Sequence, residues 1–263
     1  MSAMDQVIKI VNFRALPQSE QLHHKLVSAN YNVFSQPLFE HKNNTDESSI
    51  KQLLLSSKAK KVVFVSRAAV EFAHQAYALT LWQASPQMIF IAVGQGTKLA
   101  LQQCGISEVL TPAQENSEGL LALSELNNVA NQDIIIVRGD NGRELLAQQL
   151  TKRRASVHYL SSYQKVWYNI NCVDLIANWY DPLTKNSAII CLVITSVALL
   201  EKALSLLLQC QAEHIVKKHY YWLVVSQRIA LKAQQLNLAK IIVAQGANDK
   251  AILMALETLK LKH

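Results

Sequence analysis

Six times along this chain a short apolar run ends on a small or polar residue and helical spacing takes over. Lys61–Ser66 leads into a helix from about Ala68, Met88–Gly94 into one over Gly96–Gln103, and Val109–Leu110 into one from Ser117 to Leu126. Later, Ala188–Ser196 leads into Val197–Leu208, Tyr221–Ser226 into Ile229–Leu236, and Lys240–Ala244 into Asp249–Leu259. Strands that are apolar along their whole length, rather than at alternate positions, are buried on both faces. Strands alternating with helices pair in parallel, because each helix carries the chain back to the start of the next strand. The expected fold class is therefore α/β, with two similar domains, each a parallel sheet flanked by helices.

The two stretches repeat in register. Val65-Ser66-Arg67-Ala68-Ala69-Val70 resembles Thr195-Ser196-Val197-Ala198-Leu199-Leu200 at an offset of 130, and Gly94 aligns with Ser226, and Asn116-Ser117 with Asn248-Asp249, at an offset of 132. The first turn of a helix carries unpaired N–H groups and about half a unit of positive charge. In open parallel sheets ligands bind outside the carboxyl ends of the strands. Six helix starts from two domains, facing one cleft, would suit a ligand with many carboxylates or phosphates. Ser66, Thr97, Ser117, Thr195, Ser196 and Ser226 are the candidate binders, with Arg67 and Gly94 beside them. For each residue alone, helix capping is the competing explanation, since Ser, Thr and Asp cap helices everywhere.

The remaining segments complete the pattern. Val7–Phe13 reads as a strand, Gln18–Ser28 as a helix with Asn30 as its left-handed stop, Val33–Phe39 as extended, and His41–Ser49 as a polar loop. Asp133–Arg138 reads as a strand, Gly139–Gly142 as a turn, Arg143–Lys152 as a helix, and Ser156–Tyr163 as extended.

Composition narrows the class of function. Half of the 263 residues are hydrophobic and 17% are charged, enough to fill real cores. The net charge of +7 favours a polyanionic partner without choosing one. Cys104, Cys172, Cys191 and Cys210 form no CxxC pair and lie at no ligand spacing from His, so they read as reduced, buried thiols. The eight His show no HxxxH spacing, so no metal is expected. Gly94-Gln95-Gly96 is not the GxGxxG of a dinucleotide site, Gly139–Gly142 is too short for a calcium loop, and no cofactor is expected. The basic runs Lys58–Lys61 and Lys152–Arg154 sit where solvated cations are common, which argues against nucleic acid. The first ten residues lack an apolar signal region, and Ala188–Leu200 falls short of the ~20 residues a bilayer needs. A cytoplasmic protein with no membrane partner is expected.

With these residues assembled, the chain resembles the uroporphyrinogen-III synthases over nearly its whole length. The segments that carry the resemblance are IVNFRALPQSEQLHHKLVSANYNVFSQPLFE, VVFVSRAAVEFA, IAVGQGTKLALQQCG, PAQENSEGLLAL, IIIVRGDNGRELLAQQLTKRRASVHYLSSY and CLVITS, in that order and spacing. Two departures stand out. The family's Thr-Arg-Pro after the first strand is here Phe13-Arg14-Ala15, and its late Gly and Thr are here Ser226 and Ile229, so a helix-start hydroxyl is missing.

The resemblance implies a flavodoxin-like fold in each domain and a discontinuous plan: residues 1–35 with 164–263 as one domain, 41–156 inserted as the other, and 36–40 and 157–163 as a two-stranded connector that acts as a hinge. It implies a cofactor-free, monomeric enzyme that takes the polycarboxylate hydroxymethylbilane, with transfer from hydroxymethylbilane synthase, and closes it to uroporphyrinogen III with inversion of the last pyrrole. It places Tyr163 beside the departing hydroxyl as a proton donor, and Arg14, Arg138, Gly139 and Arg143 with the helix starts around the substrate carboxylates. For Tyr163 the competing explanation is a ring packed in a connector; for each Arg it is an ion pair with Asp or Glu. A non-catalytic relative that binds tetrapyrroles or other polyanions is the alternative function. A methyltransferase would need a Gly-rich cofactor loop after an early strand, and residues 7–17 contain no Gly.

Overall fold

The computed structural model describes residues 7–84, 88–140, 144–180 and 188–261. The chain divides into two compact units, Met1–Glu40 with Trp167–His263, and His41–Val166. In chain order the described elements open with β1 (Val7–Asn12), α1 (Gln18–Ser28), β2 (Asn32–Ser35), β3 (Phe39–Asn43), α2 (Glu47–Ser57), β4 (Lys61–Phe64) and α3 (Arg67–Ala76). They continue with β5 (Ile89–Ala92), α4 (Gln95–Gln103), β6 (Val109–Leu110), α5 (Ser117–Leu121), β7 (Asp133–Gly139), α6 (Leu145–Lys152) and β8 (Ser156–Trp167). The last third holds α7 (Cys172–Ala177), β9 (Ala188–Ile194), α8 (Val197–Leu207), α9 (Glu213–Lys218), β10 (Tyr221–Val224), α10 (Gln227–Gln235), β11 (Lys240–Val243) and α11 (Asp249–Lys260).

The first unit is built on a five-stranded sheet in the order β11-β10-β9-β1-β2, parallel throughout. This is the flavodoxin-like order. The second unit has a six-stranded sheet, β3-β8-β7-β4-β5-β6, parallel from β8 to β6. Its run β8-β7-β4-β5-β6 matches β2-β1-β9-β10-β11 strand for strand, entered at a different point along the chain. The sequence repeat follows from this: β4, β5 and β6 occupy the places of β9, β10 and β11.

The apolar strands lie where their composition demands. Cys191, Leu192, Val193 and Ile194 of β9 and Val62, Val63 and Phe64 of β4 are fully buried, as are Leu199 and Leu200 of α8 and Ala69 and Val70 of α3, which cover them. Local signals end several helices: Asn30 follows α1 at φ 61, and Gly105 closes α4 at φ 88, both in the left-handed region. Cys172 and Cys191 are buried, whereas Cys104 and Cys210 are half-buried, and all four are free thiols.

Two expectations need correction. The polar segment read as a loop over residues 41–49 supplies the end of β3 and the start of α2, whose cap Asp46 accepts a 2.7 Å hydrogen bond from the Ser49 amide. The helix expected over Ser117–Leu126 ends at Leu121, and Ser124–Leu126 is a separate 3-10 turn. Arg153, some thirty residues away, donates to the carbonyls at both ends, Leu121 O at 2.9 Å and Leu126 O at 2.7 Å. The stretch 157–163 pairs with β7 from Ile134↔Val157 to Gly139↔Tyr163. Those backbone groups already have ladder partners, so they belong to the second unit.

Candidate functional site

Each sheet presents helix starts at the carboxyl ends of its strands, the place where such sheets bind ligands. In the second unit, β4 runs through Ser66 into α3, β5 through Gly94 into α4, and β6 is followed by Asn116 and α5. In the first, β9 runs through Ser196 into α8, β10 through Ser226 into α10, and β11 is followed by Asn248 and α11. Ser66 and Ser196 make the same cap, each hydroxyl accepting from the amide three residues on at 3.1 Å. Thr195 precedes that cap and is half-buried.

The densest chemistry in the second unit surrounds Tyr163. Its hydroxyl lies 3.3 Å from Ser66 Oγ at the start of α3. Its ring stacks on Phe72 of α3 at 5.6 Å and meets His41 of β3 edge-on at 4.7 Å. Gly139 lies against the same ring. Burial raises the phenol pKa, with the Ser66 hydrogen bond acting the other way and the Asp140 charge adding to the rise. The phenol therefore stays protonated and can donate.

A β-bulge aims this ring. Arg138 pairs with Ser161 but Gly139 pairs with Tyr163, so Ser162 is an extra residue opposite that step. Leu160 and Tyr163 consequently pack on the same core, which strict strand alternation forbids for residues three apart. Ser162 is fully buried, and its hydroxyl donates to Ala69 O of α3 at 3.2 Å, which anchors the bulge.

Two titratable groups beside Tyr163 escaped the sequence reading. Burial, and after it the Lys165 charge, lower the His41 imidazole to about 4 against the opposing charge of Asp140. Burial also lowers the Lys165 ammonium, again opposed by Asp140. Lys165 had a readable signal, since two positions along a strand put it on the face of Tyr163. His41 had none, because its approach depends on how β3 joins the sheet.

The other second-unit candidates are more dispersed. Arg67 Nε is held by Glu71 of its own helix at 2.7 Å. The guanidinium of Arg138 lies 3.8 Å over the Tyr159 ring. Arg143 lies outside the described residues. Gly94 starts α4 with a carboxylate already against it: Glu115 Oε1 accepts from the Gln95 amide at 2.9 Å. Thr97, expected at the surface of that helix start, is buried to 5% exposure and faces the core. Ser117 is the first residue of α5, but the cap is Asn116, whose Oδ1 accepts from Gly119 N at 2.7 Å.

In the first unit Arg14 Nη1 donates to Asp249 Oδ1 at 2.8 Å, and Lys25 Nζ donates to Asp249 Oδ2 at 2.8 Å. Arg14 is thus engaged by the first residue of α11. A buried Asn12 sets the turn that delivers it, accepting from the Arg14 amide at 3.2 Å while donating to Ser19 O at 3.0 Å. Ser226 starts α10 without a side-chain cap bond. Ile229, where the resemblance implies a Thr, is 1% exposed, and Thr97 at the matching position of α4 is 5% exposed. Both side chains face the core, so the missing hydroxyl removes no surface donor. Of the expected residues, the structure brings Ser66, Gly139 and Tyr163 together. Among the described residues no group of three or more His, Cys, Asp or Glu could hold a metal ion, and no helix is long and apolar enough to cross a membrane.

The chain is similar in sequence and in fold to known proteins. The family model for uroporphyrinogen-III synthase HemD matches residues 20–254. The uroporphyrinogen-III synthase of Salmonella typhimurium is 32% identical over 254 residues, spanning 95% of this chain and 100% of that protein. That of Escherichia coli is 35% identical over 169 residues, spanning 64% of this chain and 66% of that protein. Among solved structures, a mutant uroporphyrinogen III synthase from Thermus thermophilus has a TM-score of 0.63 at 14% identity, covering 98% of this chain and 100% of that one. The Helicobacter pylori uroporphyrinogen-III synthetase gives 0.62 at 14% identity, covering 96% and 100%. The structural likenesses show the fold; the sequence matches carry the assignment, and the chain belongs to the uroporphyrinogen-III synthase family.

Proposed function

We propose that Tyr163 is the proton donor with which this chain, as a cyclising lyase of haem biosynthesis, starts ring closure of hydroxymethylbilane to uroporphyrinogen III. Family membership supports the overall reaction. The observation that carries the residue assignment is the position of the phenol, 3.3 Å from Ser66 Oγ at the start of α3 and enclosed by Phe72, His41 and Gly139.

The chemistry needs little else. A proton passes to the terminal hydroxyl, water leaves, and an azafulvene forms. The substituted carbon of the last pyrrole attacks it to give a spiro intermediate; fragmentation and reclosure invert that ring. The proton given up with the water is matched by the one released when the inverted pyrrole regains aromaticity, so the phenol is restored. The bilane also closes unaided to the type I isomer, so the protein acts by holding both ends in one geometry and favouring the spiro path. The substrate's carboxylates would be taken by the helix starts at Ser66, Gly94, Ser117, Thr195, Ser196 and Ser226 and by Arg14, Arg67, Arg138 and Arg143, with Lys165 an added cation beside Tyr163. Action as a cytoplasmic monomer supplied by hydroxymethylbilane synthase completes the reading.

The test is an isomer assay. Hydroxymethylbilane generated in situ is incubated with the protein, oxidised, and the type I and III porphyrins are separated. Predominant type III isomer is expected, and Tyr163→Phe should lower kcat by roughly 10²–10⁴-fold if the phenol is the general acid. Type I isomer alone from the folded protein would overturn the enzyme reading in favour of a non-catalytic binder.

A further inference from the structure

We infer that His41 is a positioning residue for Tyr163, its ring holding the phenol on Ser66. The inference rests on the role of Tyr163 proposed above and extends it to a residue far away in sequence.

Three rings from three elements meet at this point. His41 of β3 lies 4.7 Å from the Tyr163 ring at 66° and 6.4 Å from the Phe72 ring at 87°, while Tyr163 and Phe72 stack at 28°. Such edge-to-face and stacked pairs fix ring orientation as well as burying area. Gly139 closes the side of the Tyr163 ring at Cε2 and Cζ, where a β-carbon would stand 2.8 Å away. Without His41 the ring loses its edge contact from β3 and can swing off Ser66.

The charge state follows from what surrounds the imidazole. Among the described residues, the charges that act on it are those of Lys165 on β8 and Asp140 after β7, and the rings packed against it are those of Tyr163 on β8 and the uncharged Phe72 on α3. A proton on His41 would set a second cation near Lys165 and require water where two aromatic rings now pack. Burial and Lys165 together outweigh Asp140, so the imidazole stays neutral until about pH 4. A ring without a charge can do the same work, which separates positioning from proton transfer by the imidazole itself.

Three measurements on the full chain test this. NMR titration of the wild-type imidazoles should show His41 neutral down to about pH 4; titration near the ordinary 6.5 would overturn the uncharged state. His41→Ala should lower kcat for type III isomer by about tenfold or more with KM little changed, as expected for a misplaced reacting group. His41→Phe should restore most of that kcat. A folded His41→Ala protein with wild-type kcat, or a His41→Phe protein as impaired as the alanine variant, would overturn the positioning role. Should the wild-type protein make no type III isomer, the functional reading fails, and the packing claim is then judged by ultraviolet titration of the Tyr163 phenol, taken as the difference from Tyr163→Phe. His41→Ala should move that titration down toward its ordinary value and His41→Phe should not; an unmoved phenol in both would sink the claim.

Discussion

Gly139 and Tyr163 share one space: a β-carbon at residue 139 would stand 2.8 Å from Cε2 and Cζ of the Tyr163 ring. The ring cannot retreat easily, because Phe72 and His41 pack against it. Gly139→Ala should therefore push the phenol off Ser66 and lower kcat toward that of Tyr163→Phe. The overpacking should also cost about 1–3 kcal/mol of stability, read by urea denaturation. Unchanged kcat in a folded variant would show that the ring has room the structure does not indicate.

Glu115 occupies the anion position at the start of α4, with Oε1 2.9 Å from the Gln95 amide. A carboxylate there is stabilising by about 0.3–1 kcal/mol, and it competes with a substrate carboxylate for the same N–H groups. Glu115→Gln removes the negative charge. Its KM for hydroxymethylbilane should fall by roughly two- to fivefold, the equivalent of that energy, with a small loss of thermal stability. A higher KM would mean that Glu115 aids binding instead.

Asp249 joins Arg14 and Lys25, both at 2.8 Å. Burial would raise its carboxyl pKa, but the hydrogen bonds from Lys25 and Arg14 outweigh burial and lower it. The sign follows directly: a depressed carboxylate stabilises the fold above its ordinary pKa and loses that contribution as pH falls through the folded value. Asp249→Asn should be less stable than wild type near neutral pH, and the gap should begin to close as the pH drops below 3.8, the ordinary value, and vanish below the folded value. Lys25 is 58% exposed, so salt screens its share, and the larger part of the loss should appear in Arg14→Met as well.

His41 acts in the opposite direction from a stabilised cation. Its folded pKa lies near 4 instead of 6.5, so the unfolded chain binds the proton first. Stability should rise with pH across that window, and His41→Phe should flatten this part of the curve. Urea melts at intervals from about pH 4 to 7 would check it, given the ordinary histidine value. An unchanged slope in the variant would assign the window to other groups.

Ile229, where the resemblance implies a threonine, is a core-facing residue of α10, 1% exposed. Ile229→Thr would bury a hydroxyl there and cost about 1–3 kcal/mol, with no gain in turnover or affinity. Measured stability and KM together decide it; a lower KM would show that the hydroxyl reaches substrate after all.

The sequence by itself determined the parts that depend on local pattern. Wholly apolar β9 and β4 are legible because both faces of a parallel strand are buried. The caps at Ser66 and Ser196 and the stop at Asn30 are legible because a helix end must satisfy its own backbone groups within a few residues. The repeat survives for the same reason, each strand–helix step being a local unit. Contacts across the fold were decided only by tertiary structure. Arg14 meets Asp249 because β1 and α11 belong to one unit, a pairing 235 positions apart. Tyr163 faces the α3 core because Ser162 is an extra residue in the ladder, and period-two patterning cannot announce a shift that breaks it. His41 reads as part of a polar loop until β3 brings it to that ring. The physical reason is the same in each case: local hydrogen bonding and burial period leave a trace in neighbouring residues, whereas the partner of a side chain is fixed by the path of the whole chain.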